Sequence, residues 1–160
     1  MIRSFDNGKG PDIVVLQEVE NLNVLTQLRD RGLADLGYEH LVLVEGSDKR
    51  GIDVAMMSRY PLARAAKIHP IFVRSRPEAL KTRGILEATF DVDGNNLTIF
   101  GNHWSSQGAP DYFRVAHAEV LAAAASRIRS SAVLAVGDFN TTSHDSPHAF
   151  KLFVTNQSRN

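Results

Sequence analysis

The chain has 160 residues, 43% of them hydrophobic, which suffices for one domain with its own core and is short for two. Lys plus Arg and Asp plus Glu each number 18, so no global field draws the chain to nucleic acid or acidic lipid, and a polyanion has to be met by a local patch. Cysteine is absent, which excludes disulfides and thiolate metal sites and leaves the compartment undefined; without a signal-length or membrane-spanning apolar run, the sequence predicts a soluble chain with no membrane partner.

In chain order, Asp12 to Val19 is a buried β pattern that ends in polar groups, with Glu18 at its end. From Asn21 to about Leu36, Leu22, Leu25, Leu28 and Ala34 recur at helical spacing, with Gly32 weakening the last turn. Tyr38 to Glu45 reads as a second strand, Gly46 to Gly51 as a charged loop, and Ile52 to Ser58 as a third strand closed by Tyr60-Pro61. Leu62 to Val73 is mixed and reads as strand. After a polar connector from Glu78 to Arg83, Ile85 to Val92 alternates as a strand with one wet face. Asp93-Gly94-Asn95 signals a hairpin, and Asn96 to Gly101 is the returning strand that delivers Asn102, His103 and Trp104. Ser105 to Pro110 is a loop, and Tyr112 to Ile128 an amphipathic helix with Asp111 as N-cap. A short helix from His148 to Val154 opens on Ser146-Pro147.

Between those helices lies Ala132 to Asn140, Ala-Val-Leu-Ala-Val-Gly-Asp-Phe-Asn. Its apolar run predicts a strand buried on both faces, and Gly137 then frees the backbone to turn, so Asp138 and Asn140 emerge at the carboxyl end. Ligands bind at that rim in open α/β sheets, which makes a shared metal or phosphate one reading of this pair; an Asx turn closing a structural strand is the other. Three polar clusters thus end three apolar strands: Gln17-Glu18, Asn102-His103 and Asp138-Phe139-Asn140. The set holds hard oxygens, an imidazole and an amide; magnesium takes few carboxylates and keeps waters, so a single Glu with help from Asp or Asn suits it, and the set fits metal-assisted phosphoester hydrolysis.

Four segments in order, Leu16-Gln17-Glu18-Val19-Glu20, Arg50 to Pro61, Asn102-His103-Trp104-Ser105-Ser106 and Gly137-Asp138-Phe139-Asn140, resemble motifs of the endonuclease/exonuclease/phosphatase superfamily. Its members include pancreatic-type deoxyribonucleases, abasic-site endonucleases, inositol polyphosphate phosphatases and bacterial sphingomyelinases; the Gly-Ile-Asp and Asn-His-Trp segments are nearest to bacterial secreted-nuclease-like members. The resemblance implies an α/β fold, a mixed β-sheet sandwich flanked by helices in four layers. It implies that Glu18 binds catalytic Mg2+ or Mn2+, His103 contacts the scissile phosphate, Asp138 positions or activates water, and Asn140 holds phosphate and water. Asn102 and Arg83 are candidate substrate-binding residues, although arginines on polar connectors are usually solvated. The implied activity is nuclease-like hydrolysis of nucleic acid or another phosphodiester; a phosphomonoesterase or lipid phosphodiesterase of the same family, and a catalytically deficient binding module, are the alternatives.

The chain departs from the family pattern at both ends. Family members begin with a core strand carrying an Asn near the metal and close with a Ser-Asp-His motif; neither is evident, and Ser143-His144-Asp145 follows Gly-Asp-Phe-Asn too closely to be its equivalent. An incomplete sheet leaves edges that invite another chain, so a homo-oligomer through exposed edges is expected. Asp53 is either a site residue or a loop acceptor, Trp104 and Tyr112 either stack on a base or pack under a loop, and His40, His69, His117, His144 and His148 lack mutual metal-ligand spacing.

Overall fold

Apolar runs of strand length, separated by two amphipathic helices, fold as two packed sheets. A computed structural model describes residues 1–48, 50–71, 73, 82–129 and 132–142. The first sheet is antiparallel, with β3 (Asp53–Ser58) between β1 (Ile13–Val19) and β2 (His40–Leu43). The second runs β4 (Lys67–His69), β5 (Ile85–Val92), β6 (Asn95–His103), β7 (Ala132–Asp138), antiparallel except for the parallel pair β6 and β7.

Four layers result. Helix α1 (Leu22–Gly32) lays Leu25 on Val14, Val19, Ala55 and Met57 of the first sheet. Val42, Val54 and Met56 meet Leu86, Ala88, Phe90 and Ile99 between the sheets. Helix α2 (Asp111–Ala125) covers the far side with Ala118, Leu121 and Ala125 against Ile85, Phe100 and Trp104. This is the α/β sandwich with outer helices that the motifs imply. No described helix is long and apolar enough to cross a membrane.

Local chemistry explains most boundaries. Asn21 caps α1 by accepting a hydrogen bond from the Val24 N–H at 3.0 Å, and the helix gives way after Gly32 to a 3-10 turn, Ala34–Leu36, rather than running through it. Asp93 and Gly94 both have positive φ, which matches the twist of the β5–β6 hairpin.

Other expectations are corrected. Only Lys67–His69 of the Leu62–Val73 stretch pairs as a strand, beside an isolated bridge from Leu62 to Phe90. Asp111 is the first residue of α2 rather than its cap; Pro110 takes the cap position and the Asp111 carboxylate pairs with Arg114 instead. The largest correction concerns β7. It lies at the edge of its sheet with Leu134 half exposed, because no described strand pairs with its outer side, whereas the unbroken apolar run predicts burial on both faces. The His148–Val154 helix and Ser143-His144-Asp145 lie outside the described residues.

The site-bearing ends meet at one rim. His103 and Asp138 are register partners across the parallel β6–β7 pair, and β1 packs across the sandwich against both strands. Gly137 makes this closeness possible: at φ 128 it lies against the Asn102 backbone, where any Cβ would collide with the Asn102 carbonyl.

Candidate active site

Glu18 reaches the rim through a backbone irregularity. The β1–β3 register shifts between Leu16 and Val19, and within that bulge Glu18 takes a left-handed conformation, φ 61. A bulge re-aims the side chain it carries, and this one turns the Glu18 carboxylate into a polar cleft of about 520 Å³. Arg83, His103, Asp138 and Asn140 line the same cleft, joined by Asp48, Arg50, Thr82, Ser105, Ser106, Ala109 and Phe113. His103 Nε2 stands 3.9 Å from Glu18 Oε1.

Arg83 is the buried cation of this cleft, not a solvated connector residue; it is 7% exposed. Its Nη1 lies 3.1 and 2.9 Å from the two ring nitrogens of His103, and Nη2 donates to the Trp104 carbonyl at 3.1 Å. Among the described residues Nε has no hydrogen-bond partner, and Asp48 Oδ2 stands 3.9 Å from it. A buried guanidinium N–H without an acceptor costs free energy until an oxygen arrives. Burial lowers the guanidinium pKa and Arg50 lowers it further, while Asp48, Glu18 and Asp138 raise it; a guanidinium stays charged regardless. Burial and then the Arg83 charge hold the His103 pKa below the ordinary imidazole value. Arg50 binds Asp48 at 2.7 and 3.1 Å and holds that carboxyl below its usual range.

At the end of β7 the two readings of Asp138 and Asn140 coexist. The Asn140 N–H donates to Asp138 Oδ1 at 2.9 Å, an Asx turn, and its Nδ2 donates to Asp138 Oδ2 and the Trp104 carbonyl, both at 3.0 Å. Both residues also border the cleft. Asn140 has φ 47, so it shares with Glu18 a backbone region that non-glycine residues rarely occupy.

Asn102 lies behind the cleft. Its side chain is buried, donating to the Phe100 and Val136 carbonyls and accepting from Trp104 Nε1 at 2.9 Å. Trp104 is buried and meets Phe139 edge-on at 5.0 Å, while Tyr112 stacks on Phe113. Asp53 is buried and accepts the Gly46 N–H at 2.9 Å, anchoring the loop that carries Asp48 and Arg50. The sequence presents Asp48 within a charged loop and Arg50 at the head of a family-like segment, without a site role for either; the loop's position between strand ends of the same sheet is the signal for one. His69 is paired with Glu87 at 2.7 Å, His117 is buried under Arg83, and His144 and His148 lie outside the described residues.

Among the described residues no three His, Asp or Glu side chains form a ligand cluster. Magnesium does not require one, since it binds through one or two carboxylates and retains waters. The exposed Glu18 carboxylate, with Asp138 in the same cleft, fits such a water-rich site and does not fit a closed protein cage.

The sequence matches the Endonuclease/Exonuclease/phosphatase family over residues 1–157. The chain belongs to that family. No curated protein matches it at the sequence level. Among solved structures it is similar to sphingomyelinase C from Streptomyces griseocarneus, with 19% identity and TM-score 0.68 over 97% of this chain and 60% of that one. It is similar to a beta toxin mutant from Staphylococcus aureus with bound magnesium ions, with 18% identity and TM-score 0.67 over 99% and 61%. A third likeness is to D. rerio TDP2 complexed with single strand DNA product, with 22% identity and TM-score 0.65 over 89% and 52%. The chain therefore spans less than two thirds of the length of these proteins, and their likeness to it is one of fold.

Proposed function

We propose that this family member is a divalent-metal-dependent phosphodiester hydrolase with nuclease-like substrate preference. The observation that carries the reading is the convergence of Glu18, Arg83, His103, Asp138 and Asn140 on one cleft. Glu18 would hold Mg2+ or Mn2+, with Asp138 beside it, and the ion when bound supplies charge stabilisation to the phosphoryl oxygens. Arg83 lines the cleft and offers its charge to the phosphate. A neutral His103, with Arg83 Nη1 against both of its ring nitrogens, has one N–H to offer a phosphoryl oxygen. The Asp138 carboxylate receives the proton of the attacking water, and Asn140, tied to Asp138 and Trp104, fixes its direction.

Charge supports a diester over a monoester. Arg50 is already matched by Asp48, so a divalent ion together with Glu18, Asp138 and Arg83 leaves one positive charge, which balances the single negative charge of a diester. A monoester near pH 7 carries closer to two.

Mg2+-dependent cleavage of supercoiled plasmid and of bis(p-nitrophenyl) phosphate tests this. Glu18→Gln and Asp138→Asn are each expected to lower the rate by at least ~10²-fold, with p-nitrophenyl phosphate turned over more slowly than the diester. Absence of turnover with any divalent ion contradicts the hydrolase and leaves a binding module. A preference for monoesters or sphingomyelin replaces the nuclease reading with another activity of the family.

A further inference from the structure

Helix α2 reaches the cleft from behind with a histidine that the proposed chemistry does not use. His117 is fully buried, its ring 5.8 Å from the Trp104 indole, with Nδ1 2.7 Å from the Phe113 carbonyl and Nε2 3.1 Å from the Arg83 carbonyl. We propose that His117 is a positioning residue: its Nε2–H holds the Arg83 carbonyl and thereby sets the guanidinium over the phosphate position. The catalytic consequence rests on the hydrolase reading, whereas the geometry does not.

A neutral imidazole carries one N–H, and here two carbonyls compete for it. Phe113 is the i−4 residue, so its oxygen already receives the helix's own hydrogen bond from the His117 backbone. The Arg83 carbonyl lies outside the strands and has no backbone donor among the described residues. Placing the proton on Nε2 gives the Arg83 carbonyl its donor and leaves Nδ1, without a hydrogen, 2.7 Å from a Phe113 oxygen whose helix bond is already made; placing it on Nδ1 strands the Arg83 carbonyl in the core. Burial pushes the His117 pKa down to about 4, consistent with a neutral ring.

The backbone beside Arg83 is pinned on its other side as well. Gly84 packs so closely on β4 that a Cβ there would stand 2.8 Å from the His69 carbonyl. The Arg83–Gly84 unit is thus clamped between β4 and α2. A guanidinium on a long, rotamer-rich stem needs such an anchor, because a displacement of about 1 Å at a reacting group can cost ~10²-fold in rate. Arg114, one turn earlier on α2, holds the opposite wall by donating to the Ser106 and Ala109 carbonyls at 2.9 and 3.2 Å. Helix α2 so fixes two sides of the cleft from beneath.

Nitrogen-15 NMR of the whole chain tests the proposal without activity. The wild-type His117 ring is expected to be the Nε2-protonated tautomer, and the Arg83 guanidinium signals, assigned through Arg83→Lys, to shift and broaden in His117→Leu and to return in His117→Gln, which restores an N–H donor on a flexible stem. On a diester, His117→Leu is expected to lower kcat about 10-fold with KM little changed, and to add nothing in an Arg83→Ala background. A purely structural histidine would act additively there. A proton on Nδ1 in the wild type, or unchanged Arg83 signals in a folded His117→Leu, overturns the proposal. A wild type without hydrolysis contradicts the hydrolase reading, while the tautomer and the Arg83 signals still decide the role of His117.

Discussion

Glu18 and Asn140 occupy left-handed backbone at the candidate cleft, and neither is glycine. Such conformations cost free energy and persist where the surroundings impose them, as the β1 bulge and the Asx turn do here. Glu18→Gly is therefore expected to abolish hydrolysis while leaving stability unchanged or raised by up to about 1 kcal/mol, read by urea unfolding. A large loss of stability would mean that the carboxylate, not the chemistry, holds the bulge. His103 gives a second test. Burial and the Arg83 charge both disfavour its imidazolium, so its NMR titration midpoint is expected below the ordinary imidazole value and is expected to rise in Arg83→Leu, where a cation is removed. A midpoint that stays put or falls in that variant contradicts the contact. The three strand-end clusters were legible because each places its own chemistry at the end of an apolar run. Arg83 was legible only as a candidate, since its burial comes from His103 and Trp104, twenty residues further along.

At the level of elements, α2 couples stability to pH through His117. Its pKa falls from 6.5 in the unfolded chain to about 4 in the fold, so the contribution of the neutral ring is complete above pH 6.5 and drains away as the pH falls to 4. The loss is on the order of 3 kcal/mol, measurable by urea unfolding across that window, and His117→Gln is expected to flatten the profile. A profile with the same slope in the variant places the linkage elsewhere. Gly137→Ala is expected to disrupt the β6–β7 pair, because the added methyl falls on the Asn102 backbone at a φ that alanine avoids. The β5–β6 hairpin and the start of α1 were readable to within a residue because turn and cap chemistry are local. The place of β7 was not. An apolar run announces a strand, but whether both faces are covered depends on neighbours that the run does not encode.

Among the described residues, two helices and two sheets stack in four layers, and the site sits where the ends of β1, β6 and β7 meet. The edge strand β7 presents Val133, Leu134, Ala135 and Val136 in succession without a charge, the kind of edge on which a second copy can pair. Sedimentation velocity is expected to show concentration-dependent association that Leu134→Lys weakens; a monomer at all concentrations contradicts it. In the proposed reading, Glu18 holds one divalent ion with Asp138, His103 and Arg83 around it. Paramagnetic broadening by substoichiometric Mn2+ in nitrogen-15 spectra tests it most directly. Signals of Glu18, His103 and Asp138 are expected to disappear first, and those of His103 and Asp138 to survive in Glu18→Gln; broadening centred elsewhere, or unaltered by that substitution, would contradict it.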